Sequence, residues 1–91
     1  MTATEQERFE FINNVGYEAF QLMHHRMKEL GPLAFTELFQ AMISASAVCF
    51  ANVLRPGVER ATSPSSAADA LIGTTMRQVR ALLEPVVNGD A

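Results

Sequence analysis

From Leu38 to Leu54 the chain runs seventeen residues, LFQAMISASAVCFANVL, without an Asp, Glu, Lys or Arg, and no other feature restricts its fold as much. Such a run must be covered, either by other helices or by lipid. It falls slightly short of the ~20 residues that span a bilayer, and it carries Gln40, Ser44, Ser46 and Asn52. A membrane is therefore disfavoured, and the run reads as a helix that is apolar or small on every side and hence central. Ala41 and Ala45, then Ala47 and Ala51, stand four apart, a spacing that puts small residues on one helix face and lets another backbone approach closely. With Phe50 beside them, these four alanines are the expected oligomer interface.

The chain has 91 residues, 48% of them apolar and only 19% charged. Those proportions predict a folded single domain over residues 1–91 rather than a disordered chain. They also predict more apolar surface than one small copy can hide, and so a homo-oligomer, most simply a dimer. The net charge of −3 disfavours nucleic acid and anionic membrane as partners. Cys49 is the single cysteine, so no disulfide forms within the chain, and its apolar neighbours Val48 and Phe50 predict a buried thiol. The N-terminal MTATEQERFEF lacks the basic start and apolar core of an export signal. A cytoplasmic location is expected.

Helix signals dominate the rest. Thr4 with Glu7, or Thr2 with Glu5, has capping-box spacing, which starts a first helix at about residue 4. Phe9, Ile12, Gly16, Ala19, Met23 and Leu30 then recur at steps of three, four and seven, widened by Phe20 and Met27. Phe11, Val15 and Leu22 make a second apolar row on another face. Gly31-Pro32 ends this helix near Leu30, and a second runs over about 33–54 as the other arm of a long α-hairpin, closed by Arg55-Pro56-Gly57. The segment PGVERATS is the expected loop, with Val58 as an anchor. Ser63-Pro64 reads as N-cap and first residue of a third helix over about 64–84. Ala68, Leu71, Ile72, Met76, Val79, Leu82, Leu83 and Val86 mark its buried face, and Pro85 kinks or ends it. The prediction is an all-α, three-helix, oligomeric arrangement.

Few residues suggest chemistry. His24 and His25 are adjacent, so on a regular helix they diverge by about 100° and do not chelate one metal together. One is expected at a helix seam and the other in solvent. No metal site, cofactor or catalytic residue is predicted: nucleophile, base and charge-stabilising groups do not converge in the sequence. The most suggestive polar group is Thr74 with Arg77 and Arg80. The two arginines are three apart on one helix face and could hold a phosphate or carboxylate by charge-assisted hydrogen bonds, against the plainer reading of a solvated face with Arg80 paired to Glu84. Tyr17, the only tyrosine, could stack on such a ligand.

The function expected from these residues is non-enzymatic: a self-associating helical protein that binds another macromolecule as an adaptor, inhibitor or accessory protein. Small size and the lack of a recognisable motif also fit an accessory protein of a phage or mobile element. The alternative is a protein that binds or sequesters a small anionic ligand or nucleotide at a subunit interface, through Tyr17, Thr74, Arg77 and Arg80.

Overall fold

The computed structural model describes residues 4–89. Among them the chain is all-α: α1 over Glu5–Met27, a 3-10 turn over Lys28–Leu30, α2 over Phe35–Glu59 and α3 over Pro64–Val87. It divides into two compact units at Val48/Cys49. α1, the turn and the first half of α2 form the first; the rest of α2 and α3 form the second.

α1 starts where its cap can reach. Thr4 is extended, at φ −69° and ψ 164°, and its Oγ1 accepts a hydrogen bond from the Glu7 amide at 3.1 Å, satisfying one of the amides a helix start leaves without a partner. The rival cap at Thr2 lies outside the described residues. The α-helical part ends at Met27, one turn before the expected Leu30, because the last turn tightens to 3-10 geometry. Gly31 then reverses the chain at φ 100° with an extended ψ of −172°, a conformation open to glycine but strained for other residues. Pro32 does not begin α2. The first α2 bond runs from the Leu38 amide to the Ala34 carbonyl at 2.9 Å, so the helix opens at Phe35 rather than Leu33.

In the first unit the partly covered residues gather around this turn. Met23, His24 and Met27 on α1, and Leu38, Ala41, Met42, Ala45 and Ser46 on α2, are half-buried, whereas every residue from Thr4 to Leu22 is exposed. Only Met23 and Met27 of the long α1 stripe gain cover. Phe9, Phe11, Ile12, Val15, Phe20 and Leu22 remain in solvent in the single copy.

The second unit corrects the sequence reading of the loop. α2 does not close at Arg55-Pro56-Gly57; it continues through Pro56 to Glu59. The amide that Pro56 lacks is a cost, offset by the contacts of the final turn: the Arg60 amide bonds the Pro56 carbonyl at 3.2 Å, Arg55 pairs with Glu59 one turn on, and Val58 is half-buried. Gly57 is a packing residue rather than a terminator. A Cβ built on it would stand 3.1 Å from Leu71 Cδ1 on α3, so the two helices are close there because the glycine has no side chain. The connection shrinks to residues 60–63, and Ser63 with Pro64 opens α3 as expected.

α3 runs past Pro85 to Val87, three residues beyond the expected end. Ala68, Leu71, Thr75 and Val79 form a half-buried row at steps of three and four, and Ala67, Gly73 and Glu84 are half-buried besides. The expected wider face is not covered: Ile72, Met76, Leu82, Leu83 and Val86 are between 48% and 63% exposed. One neighbouring helix covers one stripe, and these five lie beside it.

Candidate functional site: an apolar groove in the helical hairpin

The first unit carries an open groove of about 410 Å³. Phe20, Met23 and His24 form its α1 wall. Phe35, Leu38, Phe39, Met42, Ile43 and Ser46 form its α2 wall. The α2 residues Phe35, Phe39 and Ile43 stand at i, i+4 and i+8, so they make a straight ridge about 12 Å long at the helical rise. All three are more than half exposed.

Ser46 ties the walls together. Its Oγ donates to the Met42 carbonyl at 2.8 Å and stands 3.6 Å from Met23 Sδ on the other helix. The hydroxyl is thus satisfied within its own helix, which removes a polar demand from the groove floor. Along α1, Tyr17 stacks on Phe20 with centroids 6.2 Å apart, and Phe20 on His24 at 6.1 Å. These distances lie within the range of favourable offset ring contacts, and the ladder holds Phe20 and His24 as one edge of the groove. His24 is half-buried there and His25 is exposed. No residue of the lining carries a fixed charge, so what the site can do is bury apolar surface.

The sequence-derived candidates fall elsewhere. Tyr17 belongs to the first unit and is 62% exposed. In the second unit Arg77 Nη2 donates to Thr74 Oγ1 at 3.1 Å, and that hydroxyl donates in turn to the Ala70 carbonyl at 3.0 Å. The structure brings Thr74 and Arg77 together, whereas Arg80 is committed to Glu84 at 3.1 Å. Among the alanines proposed as interface, Ala41 and Ala45 are half-buried within the hairpin, while Ala47, Ala51 and Phe50 are exposed. Cys49 is exposed rather than buried in the single copy, because Val48 and Phe50, which suggested cover, are themselves exposed.

Among the described residues no three His, Cys, Asp or Glu side chains stand together as a metal-ligand set. α2 is long and apolar enough to cross a membrane. The groove residues Phe35, Phe39 and Ile43 were not singled out from the sequence. Their four-residue spacing was available there, but in a helix apolar on most sides it did not stand out. No family model matches the chain, and no curated protein and no solved structure matches it either.

Proposed function

We propose that this chain is a non-enzymatic helical protein that self-associates, most simply as a two-fold dimer, and acts by binding another macromolecule. One observation carries the reading. No described residue is buried, and twenty large apolar side chains are exposed, spread over all three helices. A folded chain must offset ordering costs of about 1–2 kcal/mol per residue, chiefly by burying apolar surface.

A lipid surface is the weaker explanation. It accounts for α2 but not for Phe9, Ile12 and Phe20 on α1 or Ile72, Leu83 and Val86 on α3, whose helices also carry charges along their length. Multi-angle light scattering at micromolar concentration tests the proposal: a mass of at least two chains is expected, and a strict single-chain mass overturns it.

A second reading keeps the anionic ligand. The hydrogen bond between Arg77 and Thr74 orients the guanidinium, and Arg77 has no carboxylate partner among the described residues, unlike Arg80. Calorimetry against a panel of nucleotides checks it: binding lost in Arg77→Ala supports a phosphate site, and no heat across the panel removes it.

A further inference from the structure

We propose that the groove between α1 and α2 is the seat of a second copy of this chain, with the Phe35/Phe39/Ile43 ridge of each copy laid across the groove of the other about a two-fold axis. The inference rests on the self-association proposed above and adds the surface and the occupant. Three observations lead to it.

The first is the shape of the ridge. Phe35, Phe39 and Ile43 follow an i, i+4, i+8 row on one helix face and form a continuous apolar ridge more than half exposed along its length. The ridge and the hollow beside it lie on the same hairpin, so one surface supplies both halves of an isologous contact. The second is chemistry. The lining holds no Asp, Glu, Lys or Arg, its one hydroxyl at Ser46 is already bonded to the Met42 carbonyl, and its one imidazole, His24, is stacked on Phe20. An interface of this kind has the composition of a core cut in half, the mark of permanent homo-oligomers.

The third is area. Phe20, Phe35 and Phe39 are 48%, 82% and 52% exposed. With about 200 Å² for a whole aromatic side chain, they offer roughly 360 Å² per copy. A symmetric contact doubles that to about 700 Å², and Ile43, Met23, Leu38 and Met42 raise it past the ~1,000 Å² at which an interface is specific. The groove alone thus reaches the threshold for a dimer, and the remaining exposed rows enlarge it.

Site-directed cross-linking tests the seat. In a Cys49→Ser background, Ile43→Cys places a thiol on the ridge, and Ser44→Cys places one about 100° further round the same helix, away from it. Each variant is sized by light scattering before treatment with a short bifunctional maleimide. The expected result is a two-chain mass for both, with covalent dimer formed at least fivefold faster from Ile43→Cys than from Ser44→Cys. A two-chain or larger mass with the opposite order, or with equal rates, overturns the groove as the seat and leaves self-association standing. A single-chain mass for the untreated Cys49→Ser protein overturns both. Liposome flotation of that monomer then identifies lipid as the covering partner, and its failure to float points to the chain's own helices or another protein. Phe39→Arg supplies a readout without chemistry: the expected outcome is loss of the two-chain mass, and retention of it overturns the proposal.

Discussion

At the scale of single residues, the two interior glycines of the second unit separate helix propensity from packing. Gly73 lies in the middle of α3, and a Cβ there would meet only Arg77 Nη1, at 3.4 Å, the far end of a flexible side chain. Gly73→Ala therefore gains the helix-propensity difference, about 0.5–1 kcal/mol. Gly57 offers the same gain, but its Cβ would press on Leu71 Cδ1 at 3.1 Å, and Leu71 is itself half-buried. The two effects oppose each other, so Gly57→Ala is expected to give no net stabilisation, and the bulkier Gly57→Val to cost about 1–3 kcal/mol by overpacking. Thermal melts at one protein concentration should rank Gly73→Ala above wild type and Gly57→Val below it. A Gly57→Val protein as stable as Gly73→Ala would mean that α2 and α3 do not meet at Leu71.

At the scale of helices, the starts of α1 and α3 were legible in the sequence, whereas the start of α2, two residues later than expected, and the ends of α2 and α3 were not, for a physical reason. A helix start is satisfied locally: the Thr4 hydroxyl reaches the Glu7 amide three residues on, and Ser63-Pro64 presets the first turn of α3. These are short-range geometries that residue type alone decides. An end marked by proline and glycine is only a local preference, and tertiary contact outweighs it. α2 runs through Pro56 and Gly57 because Gly57 is the point of approach to α3, a fact that no neighbour in sequence announces. The same division applies to the site. The excess of apolar helix faces could be read from the spacing of Phe9, Ile12, Phe11 and Val15, whereas the choice of Phe35, Phe39 and Ile43 as a groove wall depends on where α1 lies against α2. The proline inside α2 makes a prediction of its own. Pro56→Ala restores a helical amide and removes the ring, so it should stabilise the second unit, by up to about 3 kcal/mol if the backbone there can relax to ideal geometry. Hydrogen exchange should show slower exchange on both sides of residue 56, and unchanged protection with an unchanged Tm would mean that the proline costs nothing where it sits.

At the scale of the whole molecule, no described residue is buried, and the proposed self-association predicts that stability is a matter of concentration. A monomer with its own core melts at a temperature that does not depend on how much protein is present. A chain whose core is completed by a second copy is stabilised by mass action, and each tenfold rise in concentration contributes about 1.4 kcal/mol. Two chains of 91 residues unfold together as a unit of roughly 180 residues, for which 1 kcal/mol moves Tm by about 2–4 °C. The expected shift is therefore about 3–6 °C upward per tenfold increase in concentration, followed by far-UV circular dichroism from low micromolar to near-millimolar protein. Dilution at fixed temperature should remove helical signal in step with the mass seen by light scattering, because helices with half-covered faces have little to hold them once separated. Phe39→Arg, expected to lose the two-chain mass, should also lose the concentration dependence, so its Tm deficit against wild type should widen as concentration rises. A Tm constant across that range, with full helicity at the lowest concentration, would show that each chain covers its apolar rows without a copy of itself.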